Sequence, residues 1–561
     1  MFKKVFSLTI GFTKFQIFII IFLIFIGAIF EILSIGVIIP IISFFSENSG
    51  TNYLSKLLSL ISSEEPSFEE QLIILVLIIF SVFFLRLIFL WFLTIKINLF
   101  IFTCQKNISN ELLKIFLKKN YRWHTDNNKS NFINLMTTEV YNFCSNGLAG
   151  FLYVTAELIF FSGIVLFLLF WEPRLFIIIV LISLIFFPVL IIFTKKITYK
   201  LGSSRQKLEG EILKSINENL NGIKEMILYN WGYPLKIKFN ILASQLAKVS
   251  ATHQGFMDIG RYLIEFFGIL LVIIFIYFLT NSDDQNNLIT IGVFGTELFI
   301  LMPILNRIAT YSQRLKFGMA SIDKLNQFIE NKQKNTDIKK QCNFKEELKL
   351  ESISFSYDKQ QILDNVNLTI KLKEVIGIYG ESGSGKTTLS NIIMNLLTPT
   401  KGKIIVDGKN IVSENLSISN EIAFVPQNFF YLDASLVDNI TFFDKNIKTK
   451  NLKFALKNSL LLESILNKSL SLKTHLGNNA LKISGGQLQR ISIARAIYRM
   501  PKILILDEPT SALDEKNQDL FSQIILNLRK KITVVIITHN KKLLEKCDNI
   551  YLVENKSLKK V

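Results

Sequence analysis

Cysteine is scarce in this 561-residue chain, and its four cysteines, Cys104, Cys144, Cys342 and Cys547, are scattered. No Cys-x-x-Cys pair occurs, so the sequence offers neither a disulfide framework nor a zinc site. Charge is also scarce, because 19% of the residues are charged, against about a quarter in a typical soluble domain. Half of the residues are hydrophobic, and the mean hydropathy is +0.37. This composition argues against a disordered chain and a fully soluble enzyme, and it favours a membrane protein with a soluble part.

The charges that are present are mainly basic, with a net charge of +18. Such an excess fits contact with nucleic acid, contact with anionic lipid, or cytoplasmic loops of a membrane protein. The abundance of Phe, Ile, Lys and Asn also fits AT-rich coding, which explains part of the excess. The length predicts at least two domains.

Six apolar runs are long enough for membrane spans, which need about 20 residues in a helix. They lie at 15–45, 71–95, 151–171, 174–194, 262–281 and 287–306. The first run is far too long for a cleavable signal peptide. Basic residues near the span ends, such as Lys14, Lys96 and Lys195, place both termini and the long connections 102–150 and 195–261 in the cytoplasm.

The two long connections have helical periodicity, and we interpret them as cytoplasmic continuations of the spans, with a separate soluble insertion as the alternative. On the outer side, Leu54, Leu57, Leu58 and Ile61 have helical spacing. That spacing fits either a short amphipathic helix at the membrane surface or a simple structured loop.

A phosphate-binding loop follows a buried strand at 375–379. The loop and the start of the next helix are Gly380, Glu381, Ser382, Gly383, Ser384, Gly385, Lys386, Thr387 and Thr388. This is the pattern G-x-x-x-x-G-K-[ST] in its strand–loop–helix context. Backbone N–H groups and the helix N-terminus are expected to surround a phosphate, Lys386 to reach the β- and γ-phosphates of ATP, and Thr387 to ligate Mg²⁺.

A second buried strand, 503–506, ends in Asp507 and Glu508. Asp507 fits the Mg²⁺ site, and Glu508 is placed to polarise the attacking water. Between the two strands lies the run Ile483-Ser484-Gly485-Gly486-Gln487. This run resembles the signature of the ATP-binding cassette (ABC) superfamily, with Ile483 in place of the usual Leu, and the resemblance covers essentially the whole chain.

The resemblance implies further roles for single residues. Tyr357 matches the aromatic residue that stacks on adenine, Gln427 the glutamine that senses the γ-phosphate and contributes to the metal site, and His539 the histidine that contacts the γ-phosphate. Asp514 ends the loop that crosses the dimer interface. In the family, Ser484, Gly485, Gly486 and Gln487 meet the nucleotide bound to the other subunit. One cassette and six spans imply a half-transporter, and we expect a homodimer with two competent ATP sites.

The implied fold is a six-helix transmembrane domain plus an α/β P-loop ABC nucleotide-binding domain. We predict a transmembrane domain over 1–325, a linker over 326–344 and an ATP-binding domain over 345–561, with coupling segments near 126–135 and 228–233. Before the signature, family exporters carry an acidic stretch, which here is Thr474-His475-Leu476-Gly477-Asn478-Asn479-Ala480. The missing carboxylates put the usual contact of that stretch with the partner's cytoplasmic loop in doubt.

The transported substrate is predicted from charges inside the spans, where ionisable groups usually face a cavity or each other. They are Glu31, Arg86, Arg261, Glu265, Glu297 and Arg307. Arg261 and Glu265 are four residues apart and fit mutual neutralisation. Arg86 and Arg307 lack such a neighbour, so they are expected either to bind an anionic lipid phosphate or to pair with Glu31 or Glu297 from another span.

The membrane half also resembles the bacterial flippases of lipid-linked oligosaccharides that serve protein N-glycosylation, through 30–40, Arg86, 261–265 and 301–307. We therefore expect an ATP-driven flippase in a bacterial cytoplasmic membrane, with a lipid or lipid-linked oligosaccharide and no nucleic acid as partner. The alternatives are an ABC exporter of another lipid, a drug or a peptide, and an ATP-gated channel or regulator. The absence of a peptidase domain ahead of the first span lowers the weight of a peptide exporter that cleaves a leader.

Overall fold

The structure is a computed structural model of the chain. It describes residues 7–36, 68–171, 173–280, 287–330, 340–358, 360–467, 470–476, 483–509, 515–529 and 531–561. The chain divides into two compact units. The first comprises 1–119 and 126–336, and the second comprises 120–125 and 337–561.

The first unit is helical. Its helices and the short α3 between them are α1 (Lys14–Gly36), α2 (Phe68–Lys118), α3 (Tyr121–Asp126), α4 (129–171), α5 (Pro173–Asn221), α6 (Ile223–Leu228), α7 (Gly232–Thr280) and α8 (Asn287–Glu330). Most of α3 groups with the second unit. Helix α4 contains two π-helical turns, Leu135–Glu139 and Phe143–Leu148.

The long helices extend well beyond a membrane. Helices α5 and α7 have 49 residues each, which corresponds to about 74 Å at 1.5 Å per residue, against a hydrocarbon core of about 30 Å. The prediction that the long connections continue the spans as helices is confirmed. Each predicted span falls on a helix in the described residues, although 37–45 and 281 lie outside them.

Three segments in the described part of the chain are long and apolar enough to cross a membrane, namely Lys14–Ser34, Leu72–Lys118 and Lys129–Leu166. Large side chains on α2, such as Phe80 and Trp91, are about two-thirds exposed in the single chain. Apolar side chains on the outside of a helix are stable against lipid or another helix and are costly in water. The predicted short helix near 53–61 lies outside the described residues.

Within the described residues, the second unit contains three sheets. A six-stranded sheet has the order β12-β11-β4-β10-β9-β8, a four-stranded antiparallel sheet the order β3-β2-β5-β6, and β1 pairs with β7. Their ranges are β1 (Lys340–Gln341), β2 (Glu347–Tyr357), β3 (Gln360–Lys371), β4 (Val375–Gly380), β5 (Lys401–Val406), β6 (Lys409–Asn410), β7 (Leu416–Ser417), β8 (Ile422–Val425), β9 (Ile503–Asp507), β10 (Thr533–Ile537), β11 (Asn549–Glu554) and β12 (Ser557–Lys560). Its helices are α9 (Lys386–Ile393), α10 (Leu436–Thr441), α11 (Thr449–Asn458), α12 (Leu461–Leu466), α13 (Gly485–Tyr498), α14 (Glu515–Leu528) and α15 (Lys541–Leu544).

The centre of the six-stranded sheet positions the chemistry. Strand β10 pairs in parallel with β4 on one side and with β9 on the other. These strands are mostly apolar and almost entirely buried, as expected when helices cover both faces of a parallel sheet. Ligands of such sheets bind beyond the carboxyl ends of the strands. At these ends, β4 finishes at Gly380, β9 is followed by Glu508, and His539 lies two residues after β10.

Candidate functional site

The loop after β4 has the shape that a phosphate requires. Gly383 and Gly385 have φ values of +83° and +104°, which side chains rarely adopt. A Cβ atom at Gly383 would meet nothing within 4 Å, so its backbone conformation and not crowding calls for glycine. Within the described residues, Ser384 Oγ is buried without a hydrogen-bond partner, which fits a ligand that supplies one.

Lys386 begins α9 and folds back over the loop. Its Nζ donates to the carbonyl oxygens of Gly380 and Glu381, both at 2.8 Å. Burial lowers the pKa of the Lys386 ammonium, although the charges of Glu508 and Asp507 oppose the shift. The ammonium is thus held beside the loop and the two carboxylates, where a triphosphate requires a positive charge.

The two carboxylates at the end of β9 differ in their surroundings. Burial and the charge of Glu508 raise the pKa of Asp507, against the opposing charge of Lys386. Glu508 has a left-handed backbone with φ +47°, and its N–H donates to Ile537 O at 2.8 Å. Glu508 Oε1 lies 3.1 Å from His539 Nε2. The strained backbone turns the Glu508 carboxylate towards the histidine that follows β10.

A cavity of about 940 Å³ lies along the loop. Gly380, Glu381, Ser382, Gly383, Ser384 and His539 line it, as do residues of β3 and of the β11–β12 hairpin. Lys541 and the hairpin-turn residues Asn555 and Lys556 also line the cavity, and sequence reasoning missed them. The only signal for them in the sequence was the polar pair Asn555-Lys556 between two short strands. In the structure both residues have positive φ, as tight hairpin turns require.

ATP and Mg²⁺ fit these residues. Thr387 lies in the first turn of α9 with an exposed side chain, and Asp507 ends β9. No group of three or more His, Cys, Asp or Glu residues that could hold a metal occurs in the described ranges. That is compatible with Mg²⁺, which nucleotide sites usually hold through one or two protein ligands, phosphates and water. Bound Mg²⁺ would supply charge stabilisation to the phosphates.

The remaining residues that the sequence predicts to bind the nucleotide lie less close to the phosphate-binding loop. Tyr357, at the end of β2, packs edge-on against Phe355 with ring centroids 4.9 Å apart. Gln427 follows β8 and is exposed. Thr388 is buried in α9. The described residues that line the cavity include neither Tyr357 nor Gln427, and Lys386, Thr387, Asp507 and Glu508 lie beside the loop without lining the cavity. Their roles in stacking and in metal binding stay predictions.

The signature begins helix α13. Ser484 Oγ accepts from the N–H of Gln487 at 3.3 Å, and Gln487 Oε1 accepts from the N–H of Ser484 at 3.1 Å. This reciprocal cap fixes the start of the helix. Ser484 and Gly485 are exposed while Gly486 is buried. None of these described residues lines the cavity of the same chain.

Two sequence features near the signature are described only in part. Asp514 and residues 477–480 of the altered acidic stretch lie outside the described residues. Within that stretch, His475 Nδ1 is 3.3 Å from Asp433 Oδ1, and both side chains are at least half exposed. At the second predicted coupling segment, Tyr229 and Trp231 form a turn between α6 and α7, with ring centroids 5.1 Å apart and exposed side chains.

Arg86, Arg261 and Arg307, the three arginines singled out in the sequence, each form an ion pair within the described residues. Arg86 Nη2 is 2.5 Å from Glu31 Oε2, and Glu31 is 5% exposed. Arg307 Nε is 2.7 Å from Glu157 Oε1. Arg261 and Glu265 lie 3.4 Å apart on one face of α7, as their spacing predicted. The expected alternative of neutralisation from another span is thus realised for Arg86 by Glu31, and for Arg307 by Glu157, a residue that sequence reasoning did not consider.

Family models match both units. One described as "ABC transporter transmembrane region" matches residues 17–306, and one described as "ABC transporter" matches residues 363–511. Curated relatives include three described as "ATP-dependent lipid A-core flippase". That of Blochmanniella pennsylvanica is 26% identical over 404 residues, or 70% of this chain and 68% of the relative. That of Burkholderia pseudomallei is 29% identical over 63% of this chain and 61% of the relative, and that of Francisella tularensis is 28% identical over 70% and 65%.

The fold also matches a solved structure. The structure of a bacterial Atm1-family ABC exporter with ATP bound aligns with a TM-score of 0.79 at 15% identity, covering 97% of this chain and 94% of that one. At this identity the likeness establishes the fold alone. The curated relatives are matched over about three-fifths to two-thirds of their length.

Proposed function

Because the chain belongs to the ABC transporter family, we propose that it is a half-transporter that couples ATP hydrolysis to the movement of an amphipathic lipid across a membrane. The cassette supplies the ATPase, with Lys386 on the phosphates, Asp507 and Thr387 at the metal, and Glu508 orienting the attacking water beside His539. Six helices supply the membrane part. In this assignment two copies of the chain form one transporter.

The observation that carries the homodimer is the separation of the two halves of the ATP site. Gly380–Ser384 and His539 line one cavity of the chain, while Ser484 and Gly485 stand exposed at the start of α13, where a second copy can reach them. A capped helix start with exposed N–H groups is an anion site. A second copy would bring that anion site to the γ-phosphate, and each dimer would hold two such composite sites.

The proposed substrate class is a lipid that carries a phosphate and a sugar, with a lipid-linked oligosaccharide as the specific candidate. A concave surface of about 540 Å³ on α2 combines one guanidinium, that of Arg86, with an apolar lining from Phe80, Phe83, Phe84, Leu87 and Leu90. Arg86 Nε is buried without a hydrogen-bond acceptor among the described residues. Apolar walls beside a guanidinium suit an acyl chain next to a phosphate, and in this proposal the phosphate shares Arg86 with Glu31.

A second candidate substrate comes from the relatives, which are described as lipid A-core flippases. Both candidates are anionic glycolipids, so the same arginines would serve either one. Arg261 and Arg307 are proposed as further substrate contacts, through the guanidinium N–H groups that their pairs with Glu265 and Glu157 do not use. We place the protein in a bacterial cytoplasmic membrane with both termini in the cytoplasm, on the strength of the basic residues near the span ends.

The test is reconstitution of the purified chain in proteoliposomes. A fluorescent lipid-linked oligosaccharide and a fluorescent lipid A-core glycolipid are offered separately, and ATP-dependent movement between leaflets is measured. Glu508→Gln is the control for a requirement for hydrolysis. Movement of one probe identifies the substrate class. ATP hydrolysis with movement of neither probe refutes a glycolipid substrate and leaves a drug or peptide exporter, whereas a steady ATP-dependent ion current supports a channel.

A further inference from the structure

A cluster of buried charged side chains joins three helices of the first unit. Glu139, at the end of the first π-turn of α4, is completely buried. Its carboxylate accepts from Ser321 Oγ at 2.6 Å and from Lys324 Nζ at 3.4 Å, both on α8. Arg205 of α5 lies 3.6 Å from the same carboxylate and donates to Ser321 Oγ at 3.2 Å. One carboxylate therefore connects α4, α5 and α8.

The fourth helix around this cluster is α7. His253 of α7 stacks on Phe317 of α8 with ring centroids 3.7 Å apart, and the Arg205 guanidinium lies 5.0 Å from the same ring. Burial and the charge of Arg205 lower the pKa of His253 to about 4, so the imidazole is neutral at physiological pH. The positive charge beside Glu139 therefore comes from Arg205 and Lys324.

The helices also touch backbone to backbone beside the cluster, along residues 315–318 of α8. A Cβ atom on Gly202 of α5 would stand 2.5 Å from Phe317 O. A Cβ atom on Gly318 of α8 would stand 2.6 Å from the nitrogen of Gly147, and one on Gly150 of α4 would stand 2.8 Å from the nitrogen of Leu315. Such contacts leave no room for side chains between the helices, and densely packed interiors transmit displacement instead of absorbing it.

Helix α8 is the last helix before residue 337, where the second unit resumes. The chain joins the second unit to the first through α8 and, at α3, through α2 and α4 as well. A displacement that α8 receives reaches α5 only across the contacts between the helices. To move the spans that α4 and α5 continue into, α8 has to stay locked to both. π-helical turns recur at functional positions, and the first one in α4 ends at the carboxylate that makes this lock.

We propose that Glu139 is a positioning residue for coupling: through Ser321, Lys324 and Arg205 it makes α4, α5 and α8 move as one body when the cassettes close on ATP. The proposal rests on the proposed function for its transport readout, but not for its structural one. The competing explanation is that the cluster only stabilises the fold. In that case its loss would lower ATP hydrolysis and transport together, in proportion to the folded protein lost.

The first measurement is transport of the probe glycolipid per ATP hydrolysed in proteoliposomes. Glu139→Gln keeps the shape and one carbonyl acceptor but removes the charge. We expect ATP hydrolysis to be retained and transport per ATP to fall at least about fivefold, the lower end of typical coupling effects. Glu218→Gln on α5 is the matched control, because Glu218 forms an exposed pair with Lys214 at 3.9 Å. It should leave the ratio unchanged.

The second measurement needs no substrate. Spin labels are placed at the exposed positions Lys207 on α5 and Gln327 on α8, with Cys342 and Cys547 replaced by Ser and the labelled chain diluted into unlabelled chain. Intramolecular distances are recorded without nucleotide and after trapping with ATP and vanadate. In the parent chain and in Glu218→Gln we expect one distance population that is the same in both states. In Glu139→Gln we expect a second population after trapping.

Each outcome either supports or overturns the proposal. An unchanged distance distribution in Glu139→Gln overturns the proposal, and so does a distance in the parent chain that changes on trapping. An unchanged ratio of transport to hydrolysis in Glu139→Gln also overturns it. If Glu139→Gln does not fold, Ser321→Ala, which removes only the hydroxyl of the 2.6 Å hydrogen bond, takes its place in both measurements. If neither glycolipid moves in the parent chain, the proposed function fails, and the distances alone test the lock.

Discussion

Replacing Arg307 by Ala is expected to destabilise the protein, because Glu157 is left without its counter-charge. Arg307 Nε is 2.7 Å from Glu157 Oε1, and the Glu157 side chain is 9% exposed. Removing one partner of a fully buried pair costs about 3–5 kcal/mol, whereas an exposed pair contributes about 1 kcal/mol or less. Because the Arg307 side chain is 40% exposed in the single chain, the pair is less than fully buried, and we expect a loss of about 2 kcal/mol.

A double variant separates the stranded charge from lost packing. Glu157→Gln combined with Arg307→Ala should recover most of the stability, since a glutamine needs no counter-charge, and the departure from additivity measures the pair. Arg261→Ala is the matched control. Its pair with Glu265 spans 3.4 Å with both side chains 56% exposed, so its loss should cost less than about 0.5 kcal/mol.

The assay is thermal and denaturant unfolding of the purified protein in detergent, with ATP hydrolysis and glycolipid flipping measured on the same preparations. Arg307→Ala with the stability of the parent chain and a tenfold weaker apparent affinity for the glycolipid would refute the pairing argument and assign the guanidinium to the substrate. Destabilisation that the double variant does not relieve would point to packing in place of charge.

Three further outcomes are expected. Glu508→Gln should retain ATP binding and lose at least about a hundredfold in ATP hydrolysis, because the carboxylate orients water without holding the nucleotide. Lys386→Ala should instead weaken nucleotide binding itself. Substantial hydrolysis by Glu508→Gln contradicts the assignment. A mixed dimer of Ser484→Arg and Lys386→Ala chains should keep one intact composite site, and crosslinking that yields only monomers with ATP contradicts the shared site. Asp407→Asn should destabilise the second unit by about 1–2 kcal/mol at pH 7 and much less in acid, as measured by unfolding at both pH values.

The pH dependence of Asp407 follows from its surroundings. Partial burial opposes ionisation, but N–H donors from Lys345, Glu346 and Glu347, at 2.7–2.9 Å, outweigh it and lower the pKa of Asp407. A carboxyl group with a lowered pKa in the folded state stabilises it fully above its ordinary pKa and loses that effect as the pH falls through the lowered value. Equal destabilisation by Asp407→Asn at both pH values would count against this account.

Much of the nucleotide site was predictable because its parts are contiguous in sequence. The strand before Gly380, the glycines of the loop and the lysine that follows are set by local backbone requirements, and the structure has them where the sequence placed them. The same holds for Asp507 and Glu508 at the end of a buried strand. Parallel strands then bring these ends to one edge, which the order of buried runs already implied.

The positions of the cavity walls were not predictable in the same way. Asn555 and Lys556 reach the cavity only because β11 lies beside β4 in the sheet, and Lys541 reaches it because β10, which it follows, lies on the other side of β4. Nothing in a short hairpin turn indicates which strand it will adjoin, since neighbouring strands pair through backbone groups that every residue carries. Strand order is therefore a property of the assembled sheet.

By itself the sequence determined that charges inside the spans need partners, because an unpaired charge in an apolar environment is too costly to keep. Only the tertiary structure decided which residues those partners are. Arg307 meets Glu157 across 150 positions, and Arg86 meets Glu31 across 55. Each choice depends on which faces two helices turn towards each other and at what height they cross, and apolar runs of similar composition do not encode this. The sequence thus determined the local chemistry, whereas the packing of the helices determined which side chains pair.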